Sequence, residues 1–133
     1  MSRRAIIPPG SEETSRALAL SPGIISGDHL FLTGMTGSAA DSTMPADPET
    51  QFRNAFDKIA SVLAEAGLGT DSIVEMTSYH IALRAHFDLF NQVRSTYVRD
   101  PFPAWTAVEV AGLRREGALV EIRVIASIKG DAS

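Results

Sequence analysis

The stretch FPAWTAVEV-AGLRREG-ALVEIRVIA, residues 102–126, decides the fold. It reads as two strands of alternating apolar residues joined by a turn. Successive strand residues point to opposite sides, so the alternation sorts the side chains into two sets. One face carries Thr106, Val108 and Val110, then Ala118, Val120, Ile122, Val124, Ala126 and Ile128. That set is nearly pure hydrocarbon and predicts a core. The other face carries Trp105, Ala107 and Glu109, then Leu119, Glu121, Arg123 and Ile125. A Trp and an Ala beside two carboxylates and an Arg suit a half-sheltered pocket or an interface. Function is expected on that second face.

Working outward, residues 84–98 predict a helix with Leu89, Phe90, Val93 and Tyr97 on its inner stripe, stopped by Asp100-Pro101. Before it, residues 73–83 are rich in β-branched and aromatic side chains and read as a strand. A longer helix is predicted from Asp47-Pro48-Glu49, where Asp caps, Pro occupies the first turn and an early Glu follows. Its stripe is Phe52, Phe56, Ile59, Leu63 and Ala66, and Gly67 and Gly69 end it. Residues 35–47 are rich in Gly, Ser, Ala, Asp and Pro and read as a loop. Residues 17–20 and 24–34 read as short strands, the latter turning at Gly27-Asp28. The order is strands, helix, strand, helix, two strands. It predicts an α+β two-layer sandwich in one domain spanning residues 1–133, with two helices covering one face of the sheet. The uncovered face, expected to bear Trp105 and Glu121, then needs a partner, and self-association supplies one.

Composition narrows the function classes. The 133 residues carry a net charge of −4 with no basic stripe, and Arg114-Arg115 is only a pair, so nucleic acid is not the expected partner. Cysteine is absent, which removes disulfides, thiolate catalysis and Cys-ligated metals. His29, His80 and His86 lie on three predicted elements without metal-ligand spacing, and no phosphate loop with its Lys is present. No cofactor is expected. No apolar run approaches the ~20 residues of a membrane helix. The apolar piece of MSRRAIIPPG is shorter than a signal peptide's core of ~7–15 residues. The expectation is a cytoplasmic protein without a membrane partner.

Five segments together carry a resemblance: SPGIISGDHLFLTG (21–34), AGLGTDSIVEMTSYHIAL (66–83), HFDLFNQVRSTYV (86–98), PFPAWTAVEVAGL (101–113) and LVEIRVIA (119–126). In this order and spacing the chain resembles the RidA (YjgF) family over roughly residues 17–128. The resemblance implies a chorismate mutase-like fold. It also implies a homotrimer whose sheets close an inner barrel, with a pocket at each subunit interface. Archetypal members hydrolyse enamines and imines to a ketone or ketoacid plus ammonia. In them an Arg within Pro-Ala-Arg-Ser-Cys-Val-Glu binds the substrate carboxylate. Here the matching run is Pro103-Ala104-Trp105-Thr106-Ala107-Val108-Glu109, so Trp105 stands at the Arg position and Ala107 at the Cys position. A first-strand Tyr falls at about Leu20, a Ser before Gly becomes Thr33 before Gly34, and the helix Asn and last-strand Glu are kept as Asn91 and Glu121. Phe87, in the third segment, joins the implied substrate-binding set.

The substitution has a chemical consequence. A guanidinium grips a carboxylate bidentately, with charge-assisted bonds of about 1.5–3 kcal/mol each, whereas an indole offers one N–H and no charge. The archetypal 2-iminoacid reaction is therefore not expected. Glu121 could orient or deprotonate a water, and the backbone carbonyl of Ala107 could help hold it. Thr33 and Asn91 could bond a polar ligand group, and Trp105 could stack on a flat or cationic one. Arg123, two residues from Glu121, has two readings: it replaces the lost charge, or it neutralises Glu121 or Glu109. Trp105 likewise reads as a ligand platform or as a plug in an interface. The reading of function is a small-metabolite protein hydrolysing or tautomerising an imine or enamine at a subunit interface. The alternative is a non-catalytic binding or scaffolding trimer.

Overall fold

A computed structural model of the chain describes residues 3–129. Seven strands form one mixed sheet: β1 (Arg4–Ile6), β2 (Gly23–Ser26), β3 (His29–Leu32), β4 (Met35–Thr36), β5 (Ile73–His80), β6 (Ala104–Glu109) and β7 (Val120–Ser127). Among the described residues three α-helices accompany them: α1 (Glu12–Leu18), α2 (Pro48–Glu65) and α3 (Leu83–Arg94). The sheet runs β1-β2-β3-β7-β5-β6, with β4 also paired to β7.

The long helix starts where its cap chemistry dictates. Asp47 accepts hydrogen bonds from the Thr50 N–H at 2.9 Å and the Thr50 hydroxyl at 2.7 Å, and Pro48 opens the first turn. Phe52, Phe56, Ile59 and Leu63 are fully buried, as their spacing requires. Phe90 and Val93 of α3 join them over Leu30, Met76, Val120, Ile122, Val124 and Ala126 of the sheet. Burying each such aromatic or branched side chain contributes about 1.5–3 kcal/mol, which makes this layer the main source of stability. Both helices cover one face, as expected. The hairpin of β2 and β3 turns at Gly27, whose φ of +61° suits glycine.

Five expectations are corrected. Residues 17–20 are not a strand: α1 takes Glu12–Leu18 and ends at Ala19 in the left-handed region. Residues 35–47 are not wholly loop, because Met35 and Thr36 pair with Ile122 and Glu121. The strand predicted over 73–83 stops at His80, and α3 ends at Arg94 rather than Val98. The fifth correction matters most for function. β6 and β7 are both strands, but not a hairpin, since β5 lies between them, parallel to β6 and antiparallel to β7.

That insertion resets which residues share a face. Trp105 registers with Met76 and Ala107 with Ser78, and Met76 and Ser78 are fully buried under the helices. Trp105 and Ala107 therefore face α3. Glu121 and Arg123 register with Tyr79 and Thr77, on the opposite side. Trp105 and Glu121 do not share a face within one chain. The alternation of β6 is apolar on both sides, so its phase relative to β7 depends on the strand placed between them.

Candidate functional site

Glu121 lines a cleft of about 520 Å³. One wall is the amino-terminal strap through Pro8, Ser15 and Leu20, and another is the β3–β4 link with Thr33 and Gly34. Helix α2 adds Lys58, and the segment between β6 and β7 adds Arg114 and Arg115. Gly34 has a steric reason to be glycine: a Cβ there would overlap the Glu121 carboxylate. The acid thus packs directly on backbone. Among the described residues, Glu121 makes no ion pair and no side-chain hydrogen bond, and it is half-buried. Thr33 donates its hydroxyl proton to the Ser21 carbonyl at 2.6 Å and anchors the link to the strap, leaving its oxygen lone pairs for a donor.

Lys58 was not expected in this site. Its amine donates to Ser38 Oγ at 2.8 Å, tying the loop after β4 to α2. Burial pushes the amine down to about 8, and the neighbouring charge of Arg115 adds to the effect. Arg115 itself donates to the Ser42 carbonyl at 2.6 Å. No local sequence pattern marks Lys58, because Ser38 and Arg115 reach it from distant parts of the chain.

A second cluster lies on the other face. The Trp105 indole N–H donates to Ser78 Oγ at 2.9 Å, and its ring stacks on Phe87 at 5.6 Å and 6°. The Arg94 guanidinium sits 3.7 Å from the indole centroid, a cation–π contact, and its Nε donates to Asn91 Oδ1 at 3.3 Å. Burial lowers the Arg94 pKa from its ordinary value. Phe87, Asn91 and Arg94 follow helical spacing along α3, and that spacing is the sequence signal that could have found Arg94. Below them Ser78 Oγ lies 2.8 Å from His80 Nε2, both residues being fully buried. Burial pushes His80 down to about 4, with His86 contributing.

The predicted residues thus fall into three places. Glu121, Thr33, Gly34 and Leu20 share the cleft. Trp105, Phe87, Asn91 and Ala107 lie between β6 and α3. Arg123 lines a separate depression of about 480 Å³ with Arg3, Phe31 and Thr33. It forms no ion pair with Glu121 or Glu109 among the described residues, so the neutralising reading fails within one chain. The Glu109 carboxylate instead accepts from the Leu83 N–H at 3.0 Å, capping α3. Among the described residues no group of His, Asp or Glu is arranged to hold a metal, and no helix is long and apolar enough to cross a membrane.

This geometry can be set beside known proteins. The Endoribonuclease L-PSP family profile matches residues 12–128. The chain belongs to the RidA (YjgF) family. RutC family protein YjgH of Escherichia coli (strain K12) is 37% identical over 129 residues, covering 96% of this chain and 97% of that protein. A solved structure of protein YjgH superposes with a TM-score of 0.87 at 36% identity, covering 98% and 100% of the two chains. RidA from the Antarctic bacterium Psychrobacter sp. PAMC 21119 gives a TM-score of 0.76 at 26% identity, with 81% and 87% covered. The mixed α+β fold is that of these RidA-family structures.

Proposed function

We propose that this RidA-family chain acts on a small imine or enamine in the Glu121 cleft, by hydrolysis or tautomerisation. The observation that carries the reading is an unpaired, half-buried carboxylate packed on the Gly34 backbone in a cleft of about 520 Å³. As general base, Glu121 takes a proton from water while the oxygen adds to the C=N carbon, and it returns that proton to the nitrogen to give a carbinolamine. The hydroxyl proton then passes to the nitrogen as the C=O bond forms, the C–N bond breaks and ammonia leaves. In tautomerisation the same carboxylate moves a proton between carbon and nitrogen. The cleft takes a small metabolite and calls for no cofactor. With Trp105 in place of the expected Arg, a 2-iminoacid carboxylate is not held in the archetypal way.

A homotrimer fits this reading. Glu121 and Trp105 lie on opposite faces of one sheet, so a ligand touching both needs two copies of the chain. The family name raises RNA as a substrate, but the net charge of −4 argues against a polyanion and favours a metabolite.

The test compares an amino-acid-derived imine with a neutral acyclic N–H imine, following ammonia and ketone release. Turnover of the neutral imine, lost in Glu121→Gln, is the expected result. Equal turnover by Glu121→Gln overturns the role. One observation favours the second reading, a non-catalytic binding trimer. The Trp105 indole is already occupied by Phe87, Arg94 and Ser78, as a structural plug would be. Thermal stabilisation by carbonyl or aromatic metabolites without any turnover decides for that reading.

A further inference from the structure

We propose that Lys58 is a nucleophilic amine that captures a small anionic carbonyl compound as a Schiff base within the cleft. The inference is separate from imine turnover at Glu121, although both side chains line one cleft.

Three observations carry it. First, Lys58 is half-buried along the cleft wall, where its amine is fixed by Ser38 Oγ at 2.8 Å, Ser38 itself being buried. A lysine held at one point at a cleft wall presents a defined atom to a ligand, unlike a free surface lysine. Second, Lys58 has no carboxylate within ion-pair distance among the described residues. The charged groups lining the cleft are Arg114, Arg115 and, on β7, Glu121. A neighbouring cation and partial desolvation both favour the neutral, nucleophilic amine. Burial and Arg115 bring this amine down to about 8, so a usable fraction is free base near neutral pH. Third, the same two arginines supply positive charge for a ligand anion, and Arg115 is held in place through the Ser42 carbonyl. A carbonyl compound bearing a carboxylate matches both features.

The chemistry closes without a co-reactant. The Lys58 nitrogen lone pair adds to the carbonyl carbon, and the oxygen becomes a hydroxyl by taking one amine proton. The hydroxyl then leaves as water with the second amine proton, and the C=N bond forms.

The chain contains two lysines, Lys58 and Lys129, and the second is an internal control. Lys129 is solvent-exposed, 3.8 Å from Asp28. The full chain is incubated with glyoxylate and sodium cyanoborohydride, and the reduced secondary amines are located by peptide mass mapping. Lys58 is expected to label about ten-fold faster than Lys129 at neutral pH, with a rate rising through pH 8. Lys58→Arg keeps a charged donor for Ser38 and is expected to abolish the cleft adduct alone. Arg115→Gln is expected to slow labelling by glyoxylate but not by neutral acetaldehyde. Labelling of Lys58 no faster than Lys129 overturns the proposal, and equal slowing of both aldehydes overturns its anionic ligand class. Trapping reads only the carbon–nitrogen bond at Lys58. An inactive imine assay therefore leaves it standing, and a failed trap leaves the Glu121 reading untouched.

Discussion

The two faces of the sheet solve opposite problems. Around Trp105 the polar side chains that the sequence singled out each have a protein partner, the indole N–H on Ser78, Asn91 on Arg94 and Glu109 on the α3 backbone, while Arg94 Nη1 and His80 Nδ1 are buried without one. Around Glu121 the carboxylate is bare, Lys58 is held by one hydroxyl, and the walls come from four separate stretches of chain. A packed and largely bonded network gives rigidity, whereas unpaired charge at a cleft wall gives reactivity at a cost in stability. Trp105 is packed into the cluster under α3, on Phe87, Phe90 and Ser78. The unpaired Glu121 carboxylate lies on the other side.

That contrast predicts a double dissociation. Glu121→Gln is expected to lower imine turnover ~10²–10⁴-fold, the usual worth of a general base, while leaving the urea unfolding midpoint unchanged. Trp105→Ala is expected to do the reverse in one chain. It removes packing on Phe87 and Phe90 and strips Ser78 of its donor, at a cost of about 2–4 kcal/mol in chemical denaturation. If Trp105→Ala unfolds at the wild-type denaturant concentration, the scaffold role of the tryptophan is wrong.

The contrast was only half legible in the sequence. The layer of α2 and α3 could be read from helical spacing, because Phe52, Phe56, Ile59 and Phe90 report a local period that burial must obey. The hairpin of β2 and β3 was equally local. The face of Trp105 was not, since β6 is apolar on both sides and its phase is set by β5, which precedes it in the chain by a whole helix. Glu121 and Thr33 were singled out through the family resemblance, and the structure adds that they line one cleft and that Gly34 lets the carboxylate rest on backbone. Lys58 was out of reach, because its surroundings come from residues 20 and 57 positions away, Ser38 and Arg115.

The buried side of the comparison also carries a pH signature. His80 titrates at about 4 when folded, against about 6.5 in the unfolded chain. Above pH 6.5 both states hold a neutral imidazole and stability is at its full value. As pH falls from 6.5 towards 4, the unfolded chain takes up a proton that the folded chain refuses, so stability is lost. At about 1.4 kcal/mol per pKa unit the loss is on the order of 3 kcal/mol. Urea midpoints measured across that range should fall for wild type and flatten for His80→Gln. An unchanged slope in the variant would assign the acid sensitivity elsewhere.

On the cleft side, Gly34→Ala sharpens the picture at about 1–3 kcal/mol, the cost of forcing an added methyl into a packed site. Its Cβ would displace the Glu121 side chain. Turnover should therefore fall further than stability, and a variant that loses stability alone would detach Gly34 from the chemistry.

The smallest effect tests how the aromatic cluster is held. Helix α3 begins after Ala82, which has φ +54° and no capping side chain of its own. Glu109 of β6 fills that role from across the sheet by accepting the Leu83 N–H. A carboxylate there also complements the positive end of the helix dipole. Glu109→Ala should cost about 0.5–2 kcal/mol, the range for a lost helix cap. Because α3 carries Phe87, Asn91 and Arg94, fraying its first turn should loosen the indole stack, visible as a shift in fluorescence of the single tryptophan. The Glu121 cleft draws no wall from α3, so turnover should stay within about two-fold of wild type. A matching fall in turnover would mean that the two faces are coupled, as they would be if a neighbouring copy placed its Trp105 against this cleft.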